Sequence, residues 1–265
     1  MNTGQRHAMP RFLHWMLLGV LIAVLPFLLG SGGCSPQSLF AVDDSTEIDI
    51  GKEAVAQFEQ QHHVITGTAE ADRVLRIGRK IAAATNRTNL PWTFKVIDDP
   101  TVNAFSLPGG PVYVNSGLLN LGISDTELAG VLGHEAAHIN QRHSAKAIQH
   151  AMEIALVSDI ALRNQSDATR AAVNMALTLG VDLPHSRKDE YEADAIGIRI
   201  AYNAGYPADS IVAFLKRLDT LPDQPRTVEW MSDHPSTIER IQRTERIAAE
   251  VSVLPRPVPL ISAQQ

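Results

Sequence analysis

The chain has a single cysteine, Cys34, among 265 residues. No disulfide can therefore form within it, and the core must be stable through packing alone. It lacks any run or stripe of Lys and Arg. Its 23 basic residues stand against 29 acidic ones, a formal net charge of −6, which sets nucleic acid aside as a partner and reads as ordinary solubility. No internal repeat is present. Beyond the first 30 residues there is no long apolar run, which excludes a protein with many membrane spans. What remains is a globular composition, 45% hydrophobic and 20% charged, on a length that fits one domain of about 200 residues with terminal appendages.

The start stands apart from that domain. Arg6 and Arg11 precede an apolar stretch from Phe12 to Leu29, followed by Ser31-Gly32-Gly33 and Cys34. A basic start, an apolar core and small residues form an export signal over residues 1–33. Small residues before a cysteine resemble lipoprotein processing, with Cys34 lipidated, although Ser31 stands where that signal usually has Leu. An uncleaved anchor of about 18 residues, close to bilayer thickness, and ordinary cleavage are the other two readings. All three place the body outside the cytoplasm. Residues 34–46 read as a tether, 47–252 as the folded domain, and 253–265, with Pro255, Pro257 and Pro259, as a loose tail.

Within the domain, apolar spacing predicts a helix from about Thr46 and another over Ala69–Thr85. Period-two alternation predicts a strand over Trp92–Ile97, and a second extended piece, Pro111–Asn115, follows the turn Pro108-Gly109-Gly110. Ser124 with Glu127 forms a capping box opening a helix expected to run past His138 to about His150. Residues 151–183 read as helical. Further helices are expected from Ser186 to Ala204, over 208–219, and over 236–251, the last opened by Ser236 with Glu239. The fold class is α+β, mainly helical, with a small sheet.

The informative string is His134-Glu135-Ala136-Ala137-His138. Residues four apart share a helix face, so both imidazoles can reach one ion. Two neutral imidazoles suit zinc, which then needs a third protein group and an open position. Glu135, one step round, is placed to take a proton from the attacking water and pass it to the leaving amine. Such a string arises by chance in on the order of one chain in a hundred of this length, so its surroundings matter. Gly130 and Gly133 thin the other side of the helix for close packing. His143, five residues past His138, points about 140° away around a continuous helix, and His150 lies too far along; neither closes the site.

Glu190 and Asp194 do. They stand four apart on the stripe that continues to Ile198 and Ala201, the core side. Like charges at that spacing repel, and burying them unpaired costs more; a cation resolves both problems. Glu190 is the third ligand, and Asp194 fixes the ring of a ligand histidine. The blander reading is a solvated acidic helix start, which the helix dipole favours.

His134-Glu-Ala-Ala-His138 followed by Glu190-Tyr-Glu-Ala-Asp194 resembles the HtpX/BepA/LoiP type of gluzincin zinc metallopeptidase, which includes the Oma-type proteases. Asn103-Ala-Phe105, the stretch Pro108–Leu119, and Asp233-His-Pro-Ser-Thr-Ile-Glu-Arg-Ile241 resemble further elements of that family, in the same order. The chain is similar to a short, peripheral, LoiP-like form, without the added repeats of BepA or the several spans of embedded relatives. The resemblance implies one Zn²⁺ per chain, and a strand Val112, Tyr113, Val114, Asn115 at the cleft edge on which a substrate lies as an added strand. It also implies a loop His234 able to approach the metal and block the open position, and an Arg240 paired with a carboxylate near the site. The expected partners are unfolded or misassembled polypeptides and, through lipid or anchor, the periplasmic face of a membrane. Two rivals carry different expectations: a chaperone-like lipoprotein keeping zinc closed in four ligands, and an anchored scaffold with an accidental HExxH.

Overall fold

The protein is seen in a computed structural model that describes residues 42–157, 170–172, 174, 185–221, 230, 234 and 238–256. The export segment, Cys34, residues 35–41 of the tether, most of 151–183, Ser236 and tail residues 257–265 lie outside the described residues.

Helix α1 (Asp44–Gln61) starts where the Asp43 carboxylate accepts from Thr46 N at 2.7 Å, and buries Ile50, Ala54 and Phe58. Helix α2 (Ala69–Ala83), capped by Thr68, buries Val74, Ile77 and Ile81. Between and after them lie four strands, β1 (Val64–Ile65), β2 (Thr93–Ile97), β3 (Ala104–Ser106) and β4 (Pro111–Asn115). They form one sheet in the order β1-β2-β4-β3, with β2 and β4 parallel and the other two pairs antiparallel. Alternation along the strands splits the core in two. Phe94, Val96, Ala104, Val112 and Val114 join α2 in one cluster, whereas Ile97, Phe105 and Tyr113 face Phe58 and the rest of α1 in the other.

That order corrects one expectation. Val112–Asn115 is not a cleft edge: β4 pairs with β2 along its whole length and with β3 on its other side. All five of its residues are buried, the mark of an interior strand covered on both faces. On that side of the sheet the outer position belongs to β3.

After the short α3 (Ser116–Leu119), helix α4 (Asp125–Asn140) opens with the expected capping box. Ser124 Oγ accepts from Glu127 N, and Glu127 Oε2 accepts from Ser124 N at 2.8 Å. The helix does not run on to His150. Arg142 takes φ of +60°, a region costly for a side chain bearing Cβ, and α5 (His143–Val157) follows as a separate helix. Arg142 is held there from α1: its Nε donates to Glu47 Oε2 at 2.9 Å, and its guanidinium also binds Val42 O.

Helix α6 (Arg187–Asn203), capped by Ser186, crosses α4 with backbone close to backbone at Gly133 and Gly197. A Cβ on Gly197 would lie 2.9 Å from Gly133 O and from His134 Cα, and one on Gly130 would lie 2.4 Å from Ile211 N. Helix α7 (Ser210–Asp219) and helix α8 (Ile238–Ser252) pack beside them. The first tail residues are tied down rather than loose, with Tyr202 Oη donating to Leu254 O at 2.9 Å and Arg256 Nη1 to Gly205 O at 3.0 Å. Among the described residues, no helix is long and apolar enough to cross a membrane.

Candidate metal centre

Helical spacing on α4 brings His134 Nε2 and His138 Nε2 to 3.1 Å from each other. The Gly133–Gly197 crossing lays α6 against them, and Glu190 places Oε2 3.4 Å from His134 Nε2 and Oε1 3.4 Å from His138 Nε2. From the loop ahead of α8, His234 Nδ1 comes to 3.2 Å from His134 Nε2 and 2.9 Å from Glu190 Oε1. All four side chains are buried. Ligands bound about 2.0–2.1 Å from a tetrahedral ion such as zinc sit roughly 3.3–3.4 Å apart, close to the spacings here. Burying three imidazoles and a carboxylate around a common point is costly without a cation to receive their lone pairs. The donor set therefore fits a divalent ion held by His134, His138 and Glu190, with His234 within reach of a fourth position.

Glu135 is also buried, and among the described residues its Oε1 has no hydrogen-bond partner. His234 Nε2 stands 3.5 Å from that oxygen. Burial pushes the Glu135 carboxyl above its ordinary range, offset in part by the neighbouring histidines and the Ser106 hydroxyl on β3. A carboxylate so placed is a ready proton acceptor.

The outer nitrogens of the two α4 histidines meet different surroundings. His134 Nδ1 lies 3.0 Å from Asp194 Oδ1. Asp194 is gripped by Arg240 from α8, whose Nε donates to Oδ2 at 2.7 Å and Nη2 to Oδ1 at 2.8 Å. Nη1 of the same guanidinium donates to His234 O at 2.9 Å and lies 3.1 Å from Glu190 Oε2. Burial opposes the charge on His134, but Asp194 and Glu190 together raise its pKa to about 9. Burial opposes the charges on Asp194 and Glu190 too. Arg240 nevertheless lowers Asp194, and His234 and His134 hold Glu190 far below the carboxylate range. His138, by contrast, meets two histidines on its outer side. Its Nδ1 lies 2.9 Å from His143 Nδ1, and the His185 ring stacks on it with centroids 4.0 Å apart. Burial and the nearby His185 push His138 well below its ordinary value, while burial takes His185 down to about 4.

The sequence pattern of peptidase family M48 matches residues 68–248, a stretch that contains every one of these groups. The chain belongs to peptidase family M48. Peptidases of this family depend on a metal. This M48 chain is 35% identical over 181 residues to the mitochondrial metalloendopeptidase OMA1 of Schizosaccharomyces pombe, covering 68% of itself and 53% of that protein. It is 30% identical over 226 residues to the putative beta-barrel assembly-enhancing protease of Vibrio cholerae, covering 82% of itself and 46% of the relative. Against the beta-barrel assembly-enhancing protease of Escherichia coli the identity is 26% over 205 residues, 74% of this chain and 42% of the other. The chain thus spans about half or less of the length of these curated relatives.

Of the residues singled out from sequence, the M48 fold brings together His134, Glu135, His138, Glu190, Asp194 and His234. It gives Arg240 its carboxylates, Asp194 and Glu190. It buries Val112, Tyr113 and Val114 in the two cores, and Cys34 lies outside the described residues. Two neighbours, His185 and Trp230, carried no clear signal, and a third, His143, was expected to point away. His143 returns to His138 because the chain breaks at Arg142, contrary to the continuous helix that would turn it away. His185 lies five residues before Glu190, outside any helix. Trp230 lies against His234, with ring centroids 4.2 Å apart and planes tilted by 30°, and donates its backbone N–H to Val102 O at 3.0 Å. A tryptophan four residues before a site histidine was the one trace of it in the sequence.

Proposed function

We propose that this M48 chain is a zinc-dependent endopeptidase that hydrolyses internal peptide bonds in unfolded or misassembled exported polypeptides. The observation that carries this reading is a buried acid with an unpartnered oxygen, Glu135, one residue from the first of three converging ligand residues. A closed structural zinc site has no use for such an acid, which disfavours the chaperone-like alternative. An accidental HExxH would not gather a carboxylate from another helix.

His134, His138 and Glu190 would hold the ion, which when bound supplies electrophilic polarisation of the scissile carbonyl and acidifies water. Glu135 takes the proton of the attacking water and returns it to the departing amide nitrogen. Asp194, clamped by Arg240, keeps the His134 ring turned toward the centre. The polypeptide is placed along the outer side of β3 rather than β4. Main-chain pairing there would tolerate many side chains, and Ser106 sets that strand beside Glu135. With His234 at 2.9 Å from Glu190 and Trp230 tied to Val102 just ahead of β3, the arrangement reads as a latent form that opens by withdrawing this segment. Residues 47–252 form the catalytic domain in this reading. The leader 1–33 directs export, and Cys34 carries a lipid that holds the domain at the periplasmic face of a membrane, the outer membrane in a bacterium.

The test is Glu135→Gln in the full chain, with an unfolded protein such as casein as substrate. Cleavage falls by about 10²–10⁴-fold, with zinc content staying near one per chain. Cleavage at the parent rate by the zinc-loaded variant would refute the role given to Glu135.

A further inference from the structure

A second group of metal-ligand type lies just outside the centre. His143 Nε2 points between Asp189 Oδ1, at 3.7 Å, and Glu192 Oε2, at 3.6 Å. Both distances are too long for a hydrogen bond, and among the described residues this nitrogen has no other partner although His143 is only 4% exposed. The three groups are close enough together to hold a cation. Ring chemistry decides against it. His138 turns Nε2 toward His134 and Glu190, so an ion in the centre takes that lone pair and leaves the hydrogen of His138 on Nδ1. Two ring nitrogens 2.9 Å apart have room for one hydrogen between them. His143 must therefore accept at Nδ1, and as a neutral ring it carries its own hydrogen on Nε2. No lone pair is left there for a second cation; an N–H faces the two carboxylates instead.

We infer that His143 is a positioning residue for the metal, the acceptor that fixes the tautomer and ring plane of His138, steered in turn by Asp189 and Glu192. The carboxylates are held for that task. Ser186 Oγ donates to Asp189 Oδ2 at 2.6 Å, and Gln141 Nε2 donates to Glu192 Oε1. Both stand on the same turn of α6 as Glu190, so ligand and steering groups move as one body. The left-handed Arg142 is what returns the His143 ring to His138. Partners of this kind commonly tune metal affinity 10–100-fold.

This inference rests on the metal-dependent reading of the centre, and its test reads the metal rather than proteolysis. The full chain is compared with His143→Leu, which removes the acceptor, and with His143→Asn, whose carboxamide oxygen stands near the imidazole Nδ1 position and keeps it. Zinc affinity is measured by competition with a chelator, and the ligand field by visible absorption of the cobalt-loaded protein. Leu weakens zinc binding about 10–100-fold and shifts the cobalt bands; Asn recovers most of both; every form binds one equivalent. A folded Leu variant with parent affinity and spectrum overturns the inference. So does an Asn variant no better than Leu, or a second zinc equivalent that disappears when His143 is replaced. If Leu does not fold, Glu192→Gln carries the test, with a smaller cobalt shift in the same direction expected and an unchanged spectrum overturning it. A parent chain that binds no zinc brings down the catalytic reading as well, whereas an active Glu135→Gln leaves this inference standing.

Discussion

His134 and His138 are the same residue type on one face of one helix, yet their outer nitrogens meet opposite surroundings. Behind His134 stands a charged pair, Asp194 clamped by Arg240, both buried. Behind His138 stand neutral rings, His143 and His185. The contrast teaches that spacing makes two imidazoles available for one ion, while the packing of more distant elements decides how each one binds it. The first is made electron-rich by a carboxylate; the second is fixed in place by a neutral acceptor.

The largest break in this comparison is Asp194→Ala. It leaves the Arg240 charge buried without its bidentate partner, a change that costs about 3–5 kcal/mol; the lower end is expected because Arg240 also touches Glu190. Urea unfolding of the metal-free protein measures it, apart from any loss of zinc, and removal of His143 should cost clearly less. Next comes Gly197→Ala. Its new Cβ would meet backbone at 2.9 Å, forcing α6 off α4 at a cost of about 1–3 kcal/mol. Since that contact lies beside His134, spectra of the cobalt-loaded protein should change even though no ligand is altered.

The smallest effect is in protons. In the metal-free protein His134 is raised from 6.5 to about 9, whereas His138 is pushed below its ordinary value. Loading zinc at pH 7 must then release about one proton, from the His134 side. Calorimetry in buffers of different ionisation enthalpy measures it, and Asp194→Asn should reduce it. The signs for folding are opposite. A raised histidine adds stability that is fully present below 6.5 and lost as pH rises through about 9. A depressed one takes stability away as pH falls below 6.5.

The parts legible in the sequence were those carried by local signals. The Ser124–Glu127 box fixed the start of α4, four-residue spacing put His134 beside His138, and the Glu190–Asp194 pair on a core-facing stripe announced a second helix at the site. The illegible parts depend on distant partners. Strand pairing alone decides that β4 is interior and β3 outer, and an apolar run such as Val112-Tyr113-Val114 fits either position. Nothing in Asn140-Gln141-Arg142-His143 marks a helix break, since it has neither Gly nor Pro. The break is held by Glu47 and Val42, about a hundred residues upstream, gripping Arg142. With the break unseen, His143 could only be turned away from the centre.

The glycine contact between α4 and α6 has a consequence for how the ion comes and goes. Where backbones touch directly, no rotamer remains to be chosen, so the distance between the donor-bearing segments is set by main chain alone. Segments spaced this way should hold their separation when the ion is stripped by a chelator, whatever the side chains around them do.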